Sequence, residues 1–116
     1  MNIPETLRLA KDKTCLHLEY ANEQYALSAE YLRVYSPSAE VRGHGVGQET
    51  LQTGKRAVTI TELEPVGHYA IKIGFSDGHD SGLYDWNYLH DLAIHEKAKW
   101  LDYLQRLAIQ GGSRDA

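Results

Sequence analysis

Three short stretches near the start of the chain alternate apolar and polar residues. Thr6 to Ala10 sets Leu7 and Leu9 on one face. Thr14 to Tyr20 sets Leu16, Leu18 and Tyr20 on one face and Cys15, His17 and Glu19 on the other, and Gln24 to Ser28 adds Tyr25 and Leu27. A period of two marks half-buried strands. The separators Lys11-Asp12-Lys13 and Ala21-Asn22-Glu23 are of hairpin length, so the pattern predicts an antiparallel meander with one wet face. Alternation returns at Ala57 to Leu63, with Val58 and Ile60 on one face. It is cleanest at His68 to Phe75, where Tyr69, Ile71, Ile73 and Phe75 face inward and Lys72 outward. Between these two, Glu64-Pro65-Val66-Gly67 predicts a turn, because Pro65 cannot donate to a central ladder. Ser76-Asp77-Gly78 predicts a tight turn, and His79 to Tyr84 a short returning strand.

Helix signals fall between and after these strands. Ser28 can cap a helix reaching Tyr35, with Glu30 in its positive first turn. Ser36-Pro37 repeats the signal, with Pro37 at the first helical position and the turn ending near Val41. Asp85 caps a longer helix running to about Gln110, where Gly111-Gly112 stops it. At about 100° per residue, Trp86, Leu89, Ala93, Trp100, Leu104 and Leu107 form one stripe. Glu96 and Lys97 interrupt that stripe, so the helix either breaks near Ile94-His95 or leaves the sheet there. The apolar second half then folds back onto the core, or docks on a partner protein or a second copy. The expected fold is α+β and two-layered: an antiparallel sheet of about five to six strands, a short central helix and a long C-terminal helix. Residues 1–110 make one domain, and Gly111 to Ala116 is expected to be a disordered tail.

Composition narrows the function classes. A chain of 116 residues can hold a single core without staples. The net charge of −4, with Lys and Arg thinly spread, argues against a phosphate-tracking surface and so against nucleic acid. Cys15 is the one cysteine, so no disulfide forms within the chain and no multi-thiolate metal site can be built from it. That suits a reducing compartment. The start Met-Asn-Ile-Pro-Glu carries no signal-peptide pattern, and no apolar run reaches the roughly 20 residues of a membrane span. A cytoplasmic location is the expectation.

Most site chemistry fails on spacing. His90 and His95 stand about 140° apart around a helix and do not share a metal easily. His95-Glu96 lacks the second histidine of HExxH, since Lys99 stands there. His79, flanked by Asp77 and Asp80, is a candidate for a weak zinc or iron site, against the plainer reading of a turn histidine with solvated aspartates. No GxSxG elbow exists, and Cys15 has only His17 beside it on its face, so no enzyme is expected. Gly43, Gly45 and Gly47 match neither GxGxxG nor the P-loop. They make a turn-rich loop, and a small anion held at Arg42 to Gly47 is a further alternative.

Longer strings carry a resemblance. Tyr31-Leu32-Arg33-Val34 followed by Ser36-Pro37-Ser38-Ala39-Glu40-Val41-Arg42-Gly43-His44-Gly45, then Glu64-Pro65-Val66-Gly67, then Phe75-Ser76-Asp77-Gly78-His79-Asp80-Ser81-Gly82 and Tyr84-Asp85-Trp86 occur in order. Together they resemble the N-terminal-like domain of the gamma-butyrobetaine hydroxylases, over roughly Leu7 to Leu92. The resemblance implies a small α+β domain that precedes a catalytic iron/2-oxoglutarate domain in the hydroxylases, and that is also similar to a domain appended to some Mrp-type iron–sulfur carriers. The catalytic domain is not in this sequence, so its activity does not carry over. The hydroxylase domain holds zinc through Cys-x-Cys-x-x-Cys and a later histidine. The matching positions here are Ser36, Ser38, Val41 and His79, which implies no zinc and no cofactor. The reading is a non-catalytic accessory or protein-interaction module, linked by family analogy to iron–sulfur or iron-enzyme handling. Its partner is an unidentified protein, or a homodimer through the C-terminal helix. Arg33, Arg42, His44 and Arg56 are the candidate contact patch, with Trp86 and Trp100 as anchors.

Overall fold

The computed structural model describes residues 2–43 and 49–115; the expectations for His44 and for Gly45 to Gly47 lie outside the described residues. The meander forms as its alternation requires. β1 (Thr6–Leu9), β2 (Cys15–Glu19) and β3 (Gln24–Ser28) pair antiparallel in that order. Leu7 lies opposite Leu18, and Leu16 is flanked by Leu9 and Leu27, so one face is leucine-rich and buried. Lys13 turns the first hairpin with φ 64°, a conformation uncommon outside glycine.

α1 (Ala29–Val34) starts where Ser28 accepts from the Tyr31 N–H, and all six of its residues are buried. α2 (Ala39–Arg42) is shorter than the proline signal predicts. Ser38, not Ser36, caps it by accepting from the Glu40 N–H, so Pro37 precedes the helix instead of opening it. The Ser36 hydroxyl is engaged elsewhere, with the Ser38 N–H and His79.

β4 (Ile60–Val66), β5 (Ala70–Phe75) and β6 (Gly82–Asp85) form a second antiparallel sheet. Pro65 lies inside β4, opposite Ile71. It is tolerated because β4 is an edge strand, where the missing N–H removes no ladder bond. The turn moves on to Gly67, at φ 56°. The returning strand begins at Gly82 and not at His79, since the Asp77 carboxylate takes the His79 N–H and Phe75 bonds the His79 carbonyl. The six strands therefore make two three-stranded sheets and not one. Alternation reports which face of a strand is buried, not which edge it pairs with, and β3 runs directly into the buried α1. A bond of 2.8 Å from the Ile60 N–H to the Lys13 carbonyl joins the sheets at one corner.

Asp85 caps α3 (Trp86–Ile94) by accepting from the Tyr88 N–H. The stripe's interruption is a true break: His95, at φ −109° and ψ 20°, separates α3 from α4 (Glu96–Gln110). α4 folds back, packing Tyr103 and Leu107 against Val34 and setting Trp100 edge-on to Tyr31. Leu101 and Ile109, 60% and 83% exposed, point away. Gly111 ends the helix at φ 69°, and Gly112 bonds back to the Leu107 carbonyl. Beyond it, the carbonyls of Ser113 and Arg114 accept from Gly54 and Arg56, and the Arg114 guanidinium grips buried Glu30 at 2.7 and 2.8 Å. Among the described residues no helix is long and apolar enough to cross a membrane.

Five tyrosines tie these elements together from inside. Tyr31 donates to the carbonyl of Leu92, Tyr35 to Lys99, Tyr84 to Leu32, Tyr88 to Tyr35 and Tyr103 to Gln52, all at 2.6–2.7 Å. Each ring fills the core while its hydroxyl satisfies a carbonyl far away in sequence.

Candidate functional site

A polar centre lies where the α1–α2 connection meets the loop between β5 and β6. Ser36, Ser38 and His79 are all buried there. The Ser36 hydroxyl stands 2.8 Å from His79 Nε2 and accepts from the Ser38 N–H. Ser38 Oγ meets Ser81 Oγ at 2.8 Å, and His79 Nδ1 lies 3.2 Å from a Glu40 carboxylate oxygen. With the proton on Nδ1 facing Glu40, Nε2 accepts from Ser36 and the chain closes without an orphan. Burial first, then the Arg33 charge, push His79 below its ordinary pKa, while Glu40 pulls the other way. The ring is neutral at pH 7. Serine, histidine and carboxylate here follow the order of a hydrolase relay. Yet Ser36 is only 1% exposed, and a Cβ built on Gly82 would sit 2.5 Å from its Oγ. The Ser36 hydroxyl is already engaged by both His79 and the Ser38 N–H, so the chain acts as a clasp, and Ser36 also lines the cavity described next.

Two arginines near this centre have different surroundings. Buried Arg33 donates through Nε to Asp77 at 2.8 Å, and Lys55 reaches the same oxygen at 2.6 Å. Burial alone would raise the Asp77 carboxyl, but bonds from Lys55, the His79 N–H and Arg33 outweigh it and hold the pKa down to about 2. Arg42 is exposed, with its guanidinium 4.6 Å over the Tyr88 ring. None of the ion pairs among the described residues uses it. It borders a cavity of about 90 Å³ whose walls include Val34, Val41, Leu51, Tyr35 and Tyr88. Arg106, from α4, lines it as well, bonded to the Tyr35 hydroxyl at 3.3 Å and set 3.1 Å from Asp102.

The comparisons with known proteins decide the family. Residues 7–90 match the family model described as gamma-butyrobetaine hydroxylase-like, N-terminal. The chain belongs to this family. A protein solved in solution by NMR is 50% identical, with a TM-score of 0.87, covering 99% of this chain and 91% of its own. A second NMR structure is 45% identical, with a TM-score of 0.82 and coverage of 98% and 86%. A crystal structure of a protein of unknown function in the DUF971 family, from Acidithiobacillus ferrooxidans ATCC 23270, is 34% identical. Its TM-score is 0.65, and the match covers 78% of this chain and 92% of that one. No curated protein matches.

In this gamma-butyrobetaine hydroxylase-like N-terminal domain, the positions matching the hydroxylase zinc ligands do not fit zinc. Ser36, Ser38 and His79 converge, but the donors are one imidazole and two neutral hydroxyls, and Val41 is buried hydrocarbon. Among the described residues no group of three or more His, Cys, Asp or Glu is placed to hold a metal.

The candidate contact residues are dispersed over different partners. Arg33 is bound to Asp77, and Arg56 pairs with exposed Asp115 at 2.6 Å. Trp86 is half-buried with its N–H on the His68 carbonyl, and Trp100 is half-buried between Tyr31 and the Arg114 guanidinium. Of the described residues in this set, only Arg42 lines the cavity. Sequence reasoning missed Arg106, Glu40 and Ser81. Glu40 is in the helix-start pattern, but nothing in linear spacing reports that α4 carries Arg106 back to α1.

Proposed function

We propose that this domain is a non-catalytic accessory module that works by binding, and that its ligand is a small anion held at the cavity between Arg42 and Arg106. One observation carries the reading: Arg42 stands at the rim of a half-open cleft with no carboxylate paired to it among the described residues. Glu49 lines the same cleft without an ion pair to Arg42. A guanidinium presents a fixed fork of donors suited to carboxylate or phosphate oxygens. The closed clasp at Ser36 and His79 supports binding over catalysis, since its reactive groups are already paired. Cys15 as a free thiol suits a cytoplasmic home.

An amide-resolved NMR titration tests this. Acetate and inorganic phosphate are each added to the wild-type domain and to Arg42→Gln. Saturable shifts at Tyr35, Val41 and Leu51, weakened at least tenfold in the variant, support the reading. Absence of saturable shifts with either anion sinks it.

A second reading, a protein contact through α4, is favoured by the outward Leu101 and Ile109. Leu101 and Ala108, seven apart on α4, are exposed, a spacing that suits a helix of a second copy. Light scattering across concentration checks it: a dimer that dissociates in Leu101→Ser supports this contact, and a monomer throughout excludes it.

A further inference from the structure

We infer that the anion taken by this cavity is a short aliphatic monocarboxylate, bound head-out and tail-in; the inference rests on the anion reading above and adds the ligand's class. The walls supply the tail site. Val34 and Val41 are 5% and 7% exposed, and Leu51 closes over them beside the two tyrosine rings. The tyrosine hydroxyls and the Thr50 N–H are already committed, and Arg106 Nε is a buried donor left without a hydrogen-bond partner among the described residues. Tyr88 donates its hydroxyl to the Tyr35 carbonyl, Tyr35 donates its own to the Lys99 carbonyl, and the Thr50 N–H is bonded to the Val41 carbonyl. Methylenes set against Val34, Val41 and Leu51 lose nothing on entry, and a single polar head can use the Arg106 donor.

The charges stand at the mouth. Arg42 and Arg106 offer two cations, but Glu49 lines the same cavity and Asp102 stands 3.1 Å from Arg106 Nε. Asp102 offsets Arg106 and leaves Arg42 as the one lining cation without a paired carboxylate among the described residues. With Glu49 on the same lining, the mouth takes at most one negative charge and opposes the two or more of a phosphate ester or nucleotide. Size agrees: a cavity of about 150 Å³ admits benzene, so about 90 Å³ takes a smaller tail, a chain of three or four carbons. Arg42 grips the carboxylate while keeping its face on Tyr88, and Arg106 completes the collar through its outer nitrogens.

The test is the same NMR titration with acetate, butyrate, butan-1-ol and inorganic phosphate, on the wild type, Arg42→Gln and Arg42→Lys. Each added methylene should tighten binding by up to about fourfold, so butyrate should exceed acetate by roughly tenfold or more and butanol by a similar factor. Arg42→Gln should bring butyrate down to the level of butanol, and Arg42→Lys should recover part of the loss. Phosphate shifting the same amides as tightly as butyrate overturns this inference and leaves the anion reading standing. Acetate and butyrate binding equally also overturns it, because the tail is then not read. Butyrate unaffected by both Arg42 variants removes the head contact and overturns both readings.

Discussion

At the scale of single residues, the centre around Ser36, Ser38 and His79 is held by hydrogen bonds. Ser36 is the pivot, touching His79 Nε2, the Ser38 N–H and the space over Gly82. Gly82 is there because a methyl group would collide with Ser36 Oγ at 2.5 Å and press on Pro37 at 3.2 Å. Gly82→Ala should therefore destabilise the domain by about 2 kcal/mol, the usual cost of overpacking, and shift the His79 ring resonances. Urea unfolding gives the first quantity and NMR the second; an unchanged midpoint with unmoved His79 signals refutes the clasp. Part of this centre was legible in the sequence. The resemblance singled out Ser36, Ser38, Val41 and His79, and chemistry ruled out zinc for serine and valine. The partners were not legible, because Glu40 and Ser81 reach His79 and Ser38 only once the β5–β6 loop is folded against α2.

At the scale of elements, local signals were read well where they are local. The hairpins and the Ser28 and Asp85 caps follow from neighbouring residues, while the interrupted stripe left the break at His95 as one of two alternatives. Errors arose where a distant element decides: the edge position that admits Pro65, the separate sheets, and the start of α2. The segment after α4 belongs to this second kind. Glu30 is buried, and Arg114, 84 positions away, covers it with two hydrogen bonds and lies 5.1 Å over Trp100. Arg114→Ala should cost about 2 kcal/mol, less than the loss of a fully buried pair because Arg114 keeps some water. Replacing both partners, Glu30→Gln with Arg114→Met, should restore most of that loss, since no buried charge is then stranded. Denaturant melts of the single and double variants check it. Equal stability of all three chains means the contact does not bind the segment down.

At the scale of the whole molecule, the tyrosine tethers set a limit that no single element reveals. Tyr31, Tyr35, Tyr84, Tyr88 and Tyr103 all have their ionisation pushed upward, with burial the foremost cause in each, and Tyr20 reaches about 12. In the unfolded chain these phenols lose protons near pH 10. Their contribution to stability is complete below that value and drains away as alkalinity climbs toward the higher folded pKa values. The phenolates of these five tethers should appear in one abrupt rise of ultraviolet absorbance, coincident with the loss of circular dichroism. A smooth titration centred near pH 10 with the fold intact would contradict this. The same rings that stitch α1, α3, α4 and β6 together thus act as a common alkaline fuse, each one that ionises loosening the hold of the others.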